Sequence, residues 1–263
     1  AAMFNDAWFS QALHMSIAAF VATGFAVAGI HALMVLKGKN VQFHQKAFKI
    51  AAIFGAVAAL LQPLSGDISA KDVAKRQPIK LAAMEAHYHT QKSAPFILGG
   101  IPDQKNKKVD YAIEIPGMLS FLTFNDLNAE VKGLDSAAPE NHPPVAVTHY
   151  AFQVMIILGM LMMMIAAIYF FSLWKKKEWL KKRWLLKLFV LATPMGFIAV
   201  EAGWTVTEVG RQPWIIYGIM KTADAVTPMP GIVYSFYLFT AVYISLAFVV
   251  TFMLYRQIKM VNK

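Results

Sequence analysis

Five long apolar stretches are spaced along the chain, each meeting or nearly meeting the roughly 20 residues that a helix needs to cross a bilayer. We call these predicted spans A to E; they cover residues 10–36, 47–64, 145–174, 184–210 and 231–255. Pro194 predicts a kink in span D, because proline removes a backbone hydrogen bond inside a helix. The pattern therefore predicts an all-α, polytopic transmembrane helix bundle of about five spans.

Basic residues between the spans set the expected orientation. Lysines 37, 39, 46 and 49 lie between spans A and B, "KKKEWLKKRW" (175–184) between C and D, and Arg256, Lys259 and Lys263 after E. Five spans put all three groups on one side, which the positive-inside rule makes cytoplasmic. The predicted organisation is spans A and B in 1–64, an extracytoplasmic loop in 65–146, and spans C, D and E in 147–263.

Composition supports this class. The chain is 57% hydrophobic and 15% charged, whereas a soluble domain carries about a quarter charged residues. The lysines and arginines behind its net charge of +10 cluster at the ends of the spans, as membrane topology requires, so we expect no nucleic-acid partner. Cysteine is absent, which excludes disulfides and thiolate metal sites.

Two residues near the predicted outer ends of spans A and C have the chemistry of metal ligands. His14 lies among small residues in "SQALHMSIAAFVATGF", and Met155 lies in "HYAFQVMIILGMLMMM". Histidine and methionine together are a known axial pair for haem iron. The alternatives are a hydrogen-bonded histidine at a tight helix contact and a methionine that only fills the core.

Span D ends in "EAGWTVTEVGRQPW" (201–214), in which Glu201, Trp204 and Glu208 form a stripe at helical spacing. A carboxylate inside a membrane costs several kcal/mol unless it is protonated, paired or bound to a metal. The alternative for Glu208 is an interfacial ion pair with Arg211. That reading is poorer for Glu201, which lies about two turns deeper.

The outer loop contains a segment of helical character, "IKLAAMEAHYHTQ" (79–91), with Lys80 and Glu85 close to His87 and His89. Lys80 and Glu85 would supply a hydrogen-bond donor and a proton acceptor at one exposed site. The alternative is an ordinary solvated surface helix.

The stretch "EAGWTVTEVGRQPW" closely resembles the signature of subunit I of cytochrome bd-type quinol oxidases. The similarity extends to "KLAAMEAHYHTQ", "GGIPDQKNKK" and "YAFQVM", and it covers essentially the whole chain. It implies the C-terminal portion of that subunit, from the fifth transmembrane helix onward, with the preceding helices of the subunit as partners. It also implies a multi-pass protein of the bacterial inner membrane.

The resemblance further implies three haems: a low-spin haem b with axial ligands His14 and Met155, a high-spin haem b, and a haem d. Glu208 would be an axial ligand at one high-spin haem, Trp204 and Glu201 would support that site, and Arg211 would bind the cofactor or pair with Glu208. Lys80 and Glu85 would act in the quinol-oxidising loop. Many relatives carry an arginine two residues before the ligand methionine, where this chain has Gln153. A cation at that position would favour the reduced haem, and Gln153 does not supply one.

The expected activity is oxidation of quinol at the outer face, with electrons passing through haem to dioxygen and a proton gradient as the result. Subunit II and a small single-helix subunit are the implied protein partners. Two other readings stay open from the residues alone. One is a proton or ion transporter that uses Glu201 and Glu208; the other is a b-type cytochrome that does not reduce oxygen.

Overall fold

The computed structural model describes residues 6–261, and helices dominate this part of the chain. The helices are α1 (Trp8–Leu36), α2 (Val41–Arg76), α3 (Pro78–Met84), α4 (Met118–Phe124), α5 (Val145–Trp174), α6 (Arg183–Ala192), α7 (Met195–Val209) and α8 (Ile232–Val261). Within the described residues, five helical segments are long and apolar enough to cross a membrane. They correspond to spans A to E, so the predicted all-α polytopic architecture is confirmed.

Span B is the largest departure from the predicted bounds. The prediction ended it at Leu64, but α2 passes through Pro63 and continues to Arg76. Ion pairs one turn apart support the polar extension, with Lys71 and Asp67 2.6 Å apart and Arg76 and Asp72 3.3 Å apart. The outer loop consequently begins about three turns later than predicted.

Span D is divided into α6 and α7, which meet at Thr193 and Pro194. Proline cannot donate the hydrogen bond that would continue α6, so the predicted interruption at Pro194 is confirmed.

The outer loop is built from two short helices and small antiparallel strand pairs. The strands are β1 (Gln91–Lys92), β2 (Phe96–Leu98), β3 (Ile101–Asp103), β4 (Lys108–Asp110), β5 (Ile113–Ile115) and β6 (Glu130–Val131). They pair as β1 with β6, β2 with β5, and β3 with β4. A further hairpin after α7 joins β7 (Trp214–Ile216) to β8 (Met220–Lys221).

The predicted helix at 79–91 is shorter in the structure. It ends at Met84, and Ala86 adopts a positive φ of 49°, which a helix cannot continue through.

Four membrane-spanning helices pack as a closed ring. α1 contacts α2 and α7, and α5 contacts the same two helices, so α1 and α5 occupy opposite corners. α1 and α2 approach closely where Gly24 meets Gly55, since a Cβ on Gly24 would lie only 2.5 Å from the Gly55 Cα. Small residues commonly allow such approaches between helices in membranes.

An aromatic cluster fills the half of this ring that the charge pattern makes cytoplasmic. Phe189 stacks on Phe25 at a centroid distance of 5.4 Å and meets Phe48 and Tyr169 edge-on at 5.0 and 5.5 Å. The rings belong to α6, α1, α2 and α5, so this cluster fixes the positions of the helices and leaves the opposite, outer half for polar residues.

The chain divides after Thr222 into two compact units. The first contains the ring of helices, the outer loop and the β7–β8 hairpin. The second contains α8, a 30-residue apolar helix preceded by Gly231 with a φ of 82°.

Candidate functional site

His14 lies in the outer half of α1 and faces α2. Its Nδ1 is 3.1 Å from the Ser65 hydroxyl oxygen, and the Gln62 amide nitrogen is 3.2 Å from its Nε2. The Ser65 hydroxyl already donates to the Gln62 carbonyl oxygen at 2.8 Å, so it can only accept from His14. Nδ1 therefore carries the ring hydrogen, and Nε2 keeps the lone pair that a metal ligand needs.

Met155 lies in the outer half of α5 and faces α7. A Cβ placed on Gly203 would be 3.0 Å from the Met155 sulfur, so only glycine leaves that space to the thioether. On α2, Gly66 similarly lies beside the His14 ring, where a Cβ would be 3.6 Å from Cε1. Each expected ligand thus lies beside a glycine of a neighbouring helix, His14 beside Gly66 of α2 and Met155 beside Gly203 of α7.

The arrangement fits a haem held between two helices. His14 and Met155 project from α1 and α5, the opposite corners of the four-helix ring, and both lie toward the end away from the aromatic cluster. Haem sites in helix bundles are built from side chains on facing helices. With Nδ1 protonated, the Nε2 lone pair of His14 accepts from the Gln62 amide at 3.2 Å, and Gln62 would have to release it for Nε2 to bind iron. The protonated Nδ1 and the glycine next to the Met155 sulfur suit axial ligation.

The stripe expected on span D lies on α7. Glu201 and Trp204 are exposed, Trp204 by 62% of its surface, on a face that the described residues leave open. Glu208 is half-exposed, and its Oε2 accepts a hydrogen bond from the Arg211 guanidinium at 2.7 Å. The structure thus contains the ion pair considered above, at the outer end of the helix, while the carboxylate stays accessible.

Lys80 is brought to the same end of α7 by α3. Its Nζ lies 3.5 Å from the Thr207 carbonyl oxygen, and it lines a small cleft with Asn141, Arg211 and Trp214. Burial lowers the Lys80 pKa to about 8, the nearby Glu208 carboxylate raises it, and the Arg211 charge lowers it. Lys80 of the loop and Arg211 of the GRQPW segment are 131 positions apart in the sequence, yet the Arg211 charge acts on the Lys80 pKa. The two residues therefore belong to one electrostatic site.

Glu85, at the end of α3, is 2% exposed, and Lys80 is 9% exposed. The expectation that they form an exposed site is therefore wrong, as is the alternative of a solvated surface helix. The reason is tertiary packing, since α3 lies against α5 and Tyr217 of the β7–β8 hairpin contacts the backbone of Ile79. Loss of hydration raises the pKa of Glu85 to about 8, which keeps its carboxyl group protonated at neutral pH.

Three buried polar atoms in this turn have no hydrogen-bond partner among the described residues: Glu85 Oε2, His87 Nε2 and the Tyr88 hydroxyl. Asn141 Oδ1 and Arg211 Nε, which belong to residues lining the cleft beside Lys80, also lack partners within the described part of the chain. Native proteins leave few buried polar atoms unpaired. These atoms are available to a polar ligand or to water.

Several site residues were missed from the sequence. Gln62 and Ser65 surround His14, and His149 holds the outer loop through its side chain. Gln153 was noted only as a departure from the family pattern, and its hydrogen bonds to the loop were not expected. The available signal was the presence of polar residues four apart, His149 and Gln153, in an otherwise apolar span. Nothing local indicated which loop residues they would meet.

The fold and this site define a class first: a polytopic membrane protein with a histidine and a methionine on opposite corners of a helix ring and a buried carboxyl group in a docked outer loop. Comparison with known families identifies the class more closely. The family model described as cytochrome bd terminal oxidase subunit I matches residues 1–261. The chain belongs to this family.

Individual relatives agree. The chain is 37% identical over 260 residues to the "Putative cytochrome bd menaquinol oxidase subunit I" of Bacillus subtilis (strain 168), covering 97% of this chain and 58% of that protein. It is 32% identical over 261 residues to the "Cytochrome bd ubiquinol oxidase subunit 1" of the same organism, covering 94% and 55%.

A solved structure gives the same result. The bd oxidase from Geobacillus thermodenitrificans matches with a TM-score of 0.86 and 37% identity, over 97% of this chain and 59% of that one. The chain thus spans between 55 and 59% of the length of these relatives. Membership in the family and the five apolar segments place the chain in a bacterial membrane.

Proposed function

We propose that this chain is the quinol-oxidising, haem-binding part of a cytochrome bd-type quinol:oxygen oxidoreductase. In this proposal it oxidises quinol at the outer face, dioxygen is reduced to water, and the reaction generates a proton gradient. The bound haems, a low-spin b, a high-spin b and a d, supply the one-electron chemistry and the site of oxygen reduction. Subunit II and a small single-helix subunit are the proposed partners.

One observation carries the proposal: the loop helix packs directly on α5 and α7, two of the three helices that bear proposed haem ligands. Met84, adjacent to Glu85, shares an apolar cluster with Phe152 of α5 and Val206 of α7, and Met155 packs against the same cluster. A quinol held by the loop residues would therefore lie close to the His14/Met155 site. Electron transfer requires such proximity.

The roles of the residues follow from their surroundings. His14 and Met155 hold the low-spin haem, with Ser65 orienting His14 through its Nδ1 hydrogen. Glu85 accepts a proton from quinol, because a carboxyl group with a pKa of about 8 is a base matched to near-neutral operation. Lys80, with its pKa lowered to about 8, donates a hydrogen bond at the same docked loop.

The α7 residues serve the high-spin centre. Glu208 provides a carboxylate ligand on the accessible face of α7, and Glu201 and Trp204 extend that face. Arg211, 2.7 Å from Glu208, compensates the carboxylate charge and is placed to bind an anionic cofactor substituent.

The test uses the intact membrane complex that contains this chain. Optical spectra of the wild type should show both b and d haem bands. Glu85→Gln should slow reduction of the low-spin haem by quinol by roughly 100-fold or more, the usual contribution of a general base. Its dithionite-reduced spectrum should be unchanged, and Glu114→Gln, at an exposed glutamate on β5, is the matched control.

Each other outcome has a definite meaning. A wild type without haem bands would support ion transport, and b bands alone would support a cytochrome that does not reduce oxygen. Wild-type quinol kinetics in Glu85→Gln would exclude Glu85 as the proton acceptor.

A further inference from the structure

The outer loop is fixed to α5 by two side chains that no part of the proposed chemistry uses. His149 and Gln153 lie one helical turn apart on α5 and are 0% and 5% exposed. Both face the loop, and both lie within six residues of Met155 along the same helix.

The Gln153 side chain forms two hydrogen bonds with the backbone of β2 and of the residue after it, as a neighbouring strand would. Its amide nitrogen donates to the Ile97 carbonyl oxygen at 2.8 Å, and its amide oxygen accepts from the Gly99 N–H at 3.2 Å. The Ile97 carbonyl and the Gly99 N–H lie on either side of Leu98, the last extended residue of β2, so they point to the same side. Only a side chain with both a donor and an acceptor satisfies them together.

His149 adds a second point of attachment. Its Nδ1 lies 2.9 Å from the Met84 carbonyl oxygen, to which it donates, and its Nε2 lies 3.4 Å from the Gly99 carbonyl oxygen. Met84 is the last residue of α3, directly before Glu85. The two side chains therefore hold both the end of the Lys80–Glu85 helix and the start of the β2–β3 turn.

Two glycines make this turn possible. Gly99 and Gly100 have φ values of 67° and 90°, a region that other residues rarely adopt. A Cβ on Gly100 would also lie 2.9 Å from that of Ala112. The turn is thus specified by its own sequence, and its attachment to α5 is specified by Gln153 and His149.

We propose that His149 and Gln153 form an anchor that sets the position of the quinol-oxidising loop relative to α5, and that Gln153 is a positioning residue for quinol oxidation. This inference rests on the proposed function for its kinetic part only. The anchor itself is a statement about loop attachment, and it can be measured without quinol.

The experiment compares Gln153→Leu, Gln153→Glu and the exposed-neighbour control Val154→Leu in the intact complex. Leucine removes both hydrogen bonds, whereas glutamate keeps the acceptor for the Gly99 N–H and loses the donor to Ile97. Hydrogen–deuterium exchange over residues 96–103 reports the anchor. Quinol kcat and KM report positioning, and the dithionite-reduced spectrum reports the low-spin haem.

Gln153→Leu should speed exchange of the Gly99 amide by roughly threefold to tenfold, the size of one lost hydrogen bond. It should also raise the quinol KM or lower kcat several-fold with an unchanged spectrum. Gln153→Glu should protect Gly99 better than leucine does and should act as the second variant if Gln153→Leu does not accumulate.

Unchanged exchange at Gly99 in both variants would overturn the anchor. Faster exchange with wild-type quinol kinetics would overturn the positioning role. A wild type that does not oxidise quinol would instead refute the proposed function, and the exchange data would still decide the anchor.

Discussion

Replacing Glu85 by glutamine should remove a pH dependence that burial imposes on the protein. Glu85 is 2% exposed, and loss of hydration raises its pKa from an ordinary value of 4.5 to about 8. Between these two values the folded protein keeps the proton and the unfolded chain releases it. The unfolded state then binds fewer protons, so stability falls as pH rises through this window.

The magnitude follows from the two pKa values. The slope is about 1.4 kcal/mol per pH unit for one proton, so the wild type should lose roughly 2–3 kcal/mol between pH 6 and pH 8 through Glu85. The loss continues until the folded pKa of about 8 is passed. Glutamine keeps the shape and cannot ionise, so it should abolish this contribution.

Thermal unfolding of the purified complex at pH 6 and pH 8 provides the assay. The shift per kcal/mol decreases as the unfolding unit grows, so for the intact complex the wild-type midpoint should fall by roughly 2–5 °C relative to Glu85→Gln over that interval. Glu114→Gln, which changes an exposed glutamate, should follow the wild type.

Quinol oxidation should show the opposite trend with pH. Glu85 accepts a proton only when ionised, so kcat/KM should rise about tenfold per pH unit up to about pH 8. Parallel pH dependences of stability in wild type and Glu85→Gln would refute the buried, protonated carboxyl. A wild-type quinol rate that is flat from pH 6 to 8 would refute its role as a base.

Three further predictions concern the haem sites. His14→Ala should remove the low-spin b spectrum, and Met155→Leu should convert it to a high-spin or altered form; the assignment fails if optical spectra of both variants keep the low-spin bands. Ser65→Ala should raise the midpoint potential of that haem by roughly 20–40 mV. The lost hydrogen bond to His14 is worth about 0.5–1 kcal/mol, and its loss makes the imidazole a weaker donor to ferric iron. A redox titration that shows no shift would contradict the tautomer assigned to His14. Glu208→Gln should abolish oxygen uptake while quinol still reduces the His14/Met155 haem. The half-exposed ion pair that it removes is worth only about 0–1 kcal/mol, so the variant should still fold. Wild-type oxygen uptake would exclude the ligand role.

The sequence was sufficient for the membrane architecture. A span satisfies its backbone hydrogen bonds within itself, so an apolar stretch of the right length forms a helix whatever surrounds it. Span C begins and ends at the predicted residues, and the interruption at Pro194 follows from one residue's covalent structure. The motif around "GRQPW" likewise identified the family, because a signature is a local property of the chain.

Span B shows where prediction from the local sequence failed. The charges after Leu64 suggested an end, yet the helix continues to Arg76. Its last turns are supported by pairs such as Asp72 with Arg76 and by the Ser10 hydroxyl, 2.5 Å from Asp72. Ser10 lies 62 positions away along the chain, so the sequence pattern of α2 alone does not show this contact.

Only the tertiary structure decided the character of the loop site. The sequence placed Lys80 and Glu85 on a polar surface segment, but packing of α3 against α5 buries both and moves their pKa values toward each other, to about 8. Burial depends on residues 60 or more positions distant, such as His149, whose Nδ1 holds the end of α3. A carboxyl group's affinity for protons is set by the water that its neighbours exclude, and those neighbours are assembled only when the chain folds.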